Sequence, residues 1–172
     1  MGAARNARDG GALIHAANAA RRPEPQGRGV GLQPLIRSLE GALCVEHQMQ
    51  RLSSCLQERS DFSVLARELI ARIADGSTRH IAELGSYMQT GIDLAARMAD
   101  AEPEWLDGSS APPPVHLREL YGLLDQAALW YEALVLCATA TGDDPLVDCS
   151  VRLLEECVHG LGDLDVEIPS AL

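Results

Sequence analysis

Glu46 and His80 are the two residues of this chain whose types and positions carry the clearest chemical meaning. The first helical stripe reads Leu32, Leu35, Ile36, Leu39, Ala42, Leu43, then Glu46 and Met49, and a residue centred on such a stripe faces the core. His80 holds the matching place on the next stripe, which runs Phe62, Leu65, Leu69, Ile73, Ser77, His80, Leu84, Met88, Gly91, Ala95, Met98. A carboxylate in an apolar core must be paired, hydrogen-bonded or bound to metal. Two chemistries are therefore open to this pair. It is either a buried hydrogen-bonded couple that fixes helix register or the beginning of a metal site. Nothing in the chain resembles a GxSxG elbow, a phosphate-binding loop, a dinucleotide fingerprint or an HExxH metalloprotease motif, so other catalytic chemistry has no support.

The elements that must position these residues are helices. Aromatic residues make up only 3% of the chain, while Ala and Leu abound, a balance that favours helix over strand. The spacing predicts helix 1 over about 32–58, a turn at Arg59-Ser60-Asp61 with Ser60 or Asp61 capping the next helix, and helix 2 over about 62–99 with a bend at Gly76. Four prolines keep regular helix out of the connector 100–114. Helix 3 follows over about 115–140, then a tight turn with Gly142 suited to the C-cap and Pro145 to the first helical position, then helix 4 over about 145–164. Two tight turns flank one long connection. This predicts an all-α, antiparallel four-helix bundle with a single long crossover between helices 2 and 3.

With 172 residues the chain is long enough for one domain with a substantial core. Residues 1–31 are rich in Arg, Gly and Pro and read as a disordered tail, although an Arg-rich, acid-poor leader also resembles a transit peptide. Residues 32–166 form the bundle, and 167–172 a C-terminal tail. The net charge is −11, divided as +3 in residues 1–31, from five Arg and two acids, and −14 in the remainder, from nine Arg and 23 acids. An acidic body of this kind repels nucleic-acid phosphates and anionic membranes, so neither is an expected partner. Five cysteines, an odd number without CxxC spacing, argue against a disulfide framework or structural zinc and for a reducing, cytoplasmic compartment. The apolar excess of helix 3, in Leu120, Leu123, Leu124, Leu129, Trp130, Leu134, Val135 and Leu136, exceeds one core stripe and predicts a homodimer or higher homo-oligomer.

Several short segments, in order, resemble the ferritin-like superfamily, particularly its small stress-associated members. These are Val45-Glu46-His47-Gln48 in helix 1, Arg79-His80-Ile81-Ala82-Glu83-Leu84 in helix 2, Tyr131-Glu132 in helix 3, and Glu155-Glu156-Cys157-Val158-His159 in helix 4. The resemblance spans residues 32–166. It implies ferritin-like topology, iron or manganese between the helices, and a stress or metal-handling role. The ligands it implies are Glu46, His80, Glu132, Glu156 and His159, with Tyr131 as a nearby redox or hydrogen-bonding residue. Such sites use one Glu from each of two helices and a Glu-x-x-His from each of the other two. Here Ser77 stands where the helix 2 carboxylate belongs. The strongest apolar face of helix 4 is Val147, Val151, Leu154, Val158 and Leu161, which points Glu156 and His159 away from the core; ligation requires a rotated helix.

Overall fold

The structure, a computed structural model, describes residues 28–88 and 111–170, with side chains described over 32–88 and 111–169. The described residues form four helices and no strands: α1 (Arg28–Gln57), α2 (Val64–Tyr87), α3 (Pro113–Thr141) and α4 (Asp144–Ser170). None is long and apolar enough to cross a membrane. The expected continuation of helix 2 over 89–99, most of the proline-rich connector and the tail 1–27 lie outside the described residues.

Helices α1, α2 and α3 each bury a row spaced alternately by three and four residues, and α4 a row with the same spacing up to Cys157. On α1 the row is Leu35, Leu39, Ala42, Glu46, Met49, Ser53, Leu56; on α2 it is Ala66, Ile70, Ile73, Ser77, His80, Leu84. On α3 it is Leu117, Leu120, Leu124, Ala127, Tyr131, Leu134, Ala138, and on α4 Leu146, Ser150, Leu153, Cys157, Leu164. This repeat brings successive core residues back to one helix face. The rows meet in one core, with α1 packed on α2 and α3, and α4 packed on α3 and, less extensively, on α2.

The turns are built by local chemistry. Ser63 caps α2, its hydroxyl accepting a hydrogen bond from the Ala66 amide at 2.9 Å; it takes the capping role expected of Ser60 or Asp61. Arg59 pairs with Asp61 at 2.6 Å, donates to the Ala111 carbonyl at 2.9 Å and lies over the Phe62 ring. The first turn is thereby tied to the start of α3. At the second turn Gly142 adopts φ 71°, in the left-handed region, where glycine avoids the Cβ penalty. The Asp143 amide bonds back to the Ala138 carbonyl, and its carboxylate accepts from the Leu146 amide at 3.2 Å, starting α4.

Several boundaries differ from the sequence reading. Helix α1 begins at Arg28 and α4 runs to Ser170, while Met88 is the C-cap of α2, which passes through Gly76 as one element. Leu32, Ile36 and Leu65, expected in the core, are exposed. The largest correction concerns α4: its buried row is Leu146, Ser150, Leu153 and Cys157, and Val151 and Val158 face outward. The helix is turned by one residue, about 100°, from its most hydrophobic face. The inward row places two small side chains, Ser150 and Cys157, at positions with almost no solvent exposure.

A candidate polar site in the bundle core

Glu46, His80 and Tyr131 sit on the core rows of three different helices, and the interhelical packing draws them together. The Glu46 side chain has no solvent exposure. Its Oε1 lies 2.9 Å from Nδ1 of His80 and accepts a short hydrogen bond from the Tyr131 hydroxyl. The other ring nitrogen of His80, Nε2, lies 3.0 Å from Oε2 of Glu156. A carboxylate thus abuts each nitrogen of one imidazole. When both carboxylates are ionised they can only accept, so both nitrogens donate and His80 is an imidazolium. Tyr131 meets the His80 ring edge-on, with centroids 6.1 Å apart.

The chain of contacts continues outward. Glu156 also accepts from Arg79 at 3.0 Å and from Arg152 at 3.1 Å, and Arg152 pairs closely with Glu83. A polar path therefore leads from Tyr131 in the centre through Glu46, His80 and Glu156 to the α2–α4 surface. One loose end stays inside: Oε2 of Glu46 is buried without a hydrogen-bond partner.

These contacts fix the direction of each titration. Burial works against the charged form of His80, but the hydrogen bonds and charges of Glu46 and Glu156 outweigh it and raise the pKa above its ordinary 6.5. Glu156 moves the opposite way: burial pushes it up, and His80 and Arg79 more than compensate, leaving it below its ordinary value. Burial and the neighbouring Glu46 carboxylate raise the Tyr131 phenol far enough to keep it protonated throughout the physiological range. Cys157, on the α4 row, is likewise held as a thiol, first by burial and then by Glu46 and Glu156.

Of the five residues implied as ligands, the fold brings together Glu46, His80 and Glu156. Glu156 reaches the site because α4 is rotated from its most apolar face. Glu132 is exposed on α3 beside buried Tyr131 and is not among the hydrogen-bonded residues of the cluster. His159 is exposed, its Nδ1 2.7 Å from the Glu155 carbonyl of its own helix, although it lines the same cavity as His80 and Glu156. Glu46 and Glu156 approach opposite edges of one imidazole, so one ion taking His80 through either nitrogen would gain one of them and not the other. Among the described residues no group of three or more His, Cys, Asp or Glu side chains is arranged to hold a metal ion. The dinuclear ligand set does not fit this site.

Comparison with protein-family models, with curated proteins and with solved structures finds no match.

The roles of Arg79, Arg152 and Glu83 escaped the sequence reading, because charged residues on helix surfaces are ordinary and the pairs Arg79–Glu156 and Glu83–Arg152 join helices far apart in the chain. A signal for Glu156 did exist. The alternating row Leu146, Ser150, Leu153, Cys157 competes with the valine face, and choosing it places Glu156 at the core margin.

Proposed function

We propose that this chain is a ferritin-like, antiparallel four-helix bundle that works without a resident metal, as a protein-interaction or structural module. Support for the topology comes from the order of bridging pairs. Between α1 and α2, Glu46 meets His80 and Gln50 meets Thr78; between α2 and α4, Arg72 meets Asp163, Arg79 meets Glu156 and Tyr87 meets Pro145. Between α1 and α3, Ser38 meets Cys137 and Glu46 meets Tyr131. In each set one number rises as the other falls, as antiparallel neighbours require. Helices α2 and α3 then run in the same direction, the orientation that a bundle with one long crossover gives them.

One observation carries the metal-free reading: the two carboxylates nearest His80 occupy both of its nitrogens. An imidazole that donates from both nitrogens has no lone pair for a metal. The network then acts as a polar key that sets the register of the bundle. Five free cysteines suit a reducing, cytoplasmic setting, and Leu129 and Leu136, 60% and 72% exposed on α3, suit a homo-oligomeric contact.

A second reading, in which iron or manganese binds and the protein handles metal under stress, has its own support in the unpartnered Oε2 of Glu46. Elemental analysis of protein purified from iron- and manganese-replete cells decides between them. The metal-free reading expects substoichiometric metal that is unchanged in Glu46→Gln. Stoichiometric iron or manganese, lost in that variant, would establish the second reading instead.

A further inference from the structure

Helices α2 and α4 are the least closely joined neighbours in the bundle, and between them lies a cavity of about 310 Å³. That volume is at the small end of the range for ligand pockets, about 300 to 1,000 Å³. Two glycines help to open it. A methyl group added at Gly76 would meet only the end of the Arg79 side chain, at 3.9 Å, whereas one at Gly160 would press on Leu124 at 3.2 Å. Two ion pairs, Arg72–Asp163 and Arg79–Glu156, join the helices at its margin.

The lining has a buried floor and an exposed rim. Met49, Ile73, Leu124 and Cys157 bring apolar surface to the floor from all four helices. Two of these four carry sulfur, a thioether and a thiol that burial keeps uncharged, and such sulfur atoms pack favourably against aromatic ring edges. At the rim stand the guanidinium groups of Arg72 and Arg79. A guanidinium that binds a carboxylate edge-on keeps its planar face for stacking on a ring. The charges at the cavity cancel in pairs: Arg72 with Asp163 at 2.9 Å, Arg79 with Glu156 at 3.0 Å, and His80 with Glu46 at 2.9 Å. His159, at the margin, is turned to the Glu155 carbonyl of its own helix. A charged ligand would have to break one of these pairs or lose its hydration without a partner.

We propose that the α2–α4 cavity binds a compact, uncharged aromatic molecule of about naphthalene size, its ring edge against Met49 and Cys157 and its face toward Arg79 or Arg72. The site goes beyond the structural role proposed above and is independent of metal. The test is calorimetric titration of the full chain with naphthol, in excess chelator so that metal cannot contribute. Saturable one-to-one binding is expected, about tenfold tighter than that of naphthoate or naphthylmethylammonium, which carry a charge into the cavity. It is also expected to be about threefold tighter than that of decahydronaphthol, which has the same skeleton without an aromatic ring. Gly76→Leu fills the cavity from a position with room for a side chain and removes a helix-interior glycine; it is expected to keep its melting temperature and lose most of the binding. Met49→Leu conserves core volume and deletes the thioether; it is expected to reduce the preference for naphthol over decahydronaphthol, and it decides the matter if Gly76→Leu does not fold. Absence of saturable binding, equal binding of either charged analogue or of decahydronaphthol, undiminished binding by folded Gly76→Leu, or an unchanged aromatic preference in Met49→Leu would overturn the proposal.

Discussion

Glu46 is stabilised by what its neighbours donate, so the cost of altering the cluster depends on which member is removed. Tyr131→Phe keeps the ring in its core position and deletes one donor to the carboxylate. Thermal or urea unfolding should show a loss of about 1 to 3 kcal/mol, the usual consequence of leaving a buried polar group short of a partner. His80→Leu is more severe, since it removes the opposing charge from a carboxylate with no access to water; a loss of about 3 to 5 kcal/mol is expected. Replacing the whole interior set, in Glu46→Leu, His80→Leu, Tyr131→Phe, should recover most of that loss, because no buried charge is then left unpaired. If the triple variant is less stable than His80→Leu alone, the network contributes more than its desolvation costs.

At the scale of the helices, two contacts control how elements start and approach one another. Gly41 on α1 lies against the Trp130 ring of α3: a Cβ there would come within 2.5 Å of it. The indole cannot move aside without disturbing the α1–α3 seam, so Gly41→Ala should cost about 1 to 3 kcal/mol through overpacking, read from the urea midpoint. Ser63→Ala removes the side-chain cap of α2 and should cost about 1 kcal/mol. Much of this level was legible in sequence. The turn at Gly142 and the three-and-four spacing follow from residue chemistry close in the chain. The rotation of α4 was not legible, because Val147, Val151 and Val158 make a more hydrophobic stripe than the one that is buried. Hydropathy ranks faces by composition, whereas the core selects the face whose shapes fit.

For the whole molecule, the cluster links stability to pH. The folded state raises the His80 pKa above 6.5, so its contribution is fully present below that value and fades as pH rises through the elevated folded pKa. Glu156, lowered on folding, contributes above its ordinary 4.5 and loses that contribution as pH falls through its depressed value. From these two groups, melting temperature should fall as pH increases above about 6.5, and it should fall again below about 4.5. The alkaline decline should flatten in the triple apolar variant; an unchanged slope would remove His80 as its source. Association is the second property at this scale. Sedimentation should show a dimer or larger assembly that dissociates in Leu129→Asp, Leu136→Asp, since both side chains are exposed on one face of α3; a wild-type monomer would exclude this contact.

The sequence by itself determined the helical class, the turn at Gly142 and the presence of a carboxylate and an imidazole on core-facing stripes. These follow from periodicity and local backbone chemistry, which act between residues a few positions apart. Only the tertiary structure decided that Tyr131 and Glu156 join Glu46 and His80, that Glu132 and His159 stand apart from their hydrogen-bond network, and that a cavity opens between α2 and α4. Those outcomes depend on the rotation of one helix against another. That rotation is set by the volumes of side chains from all four helices packed at once, a property that no single stripe carries.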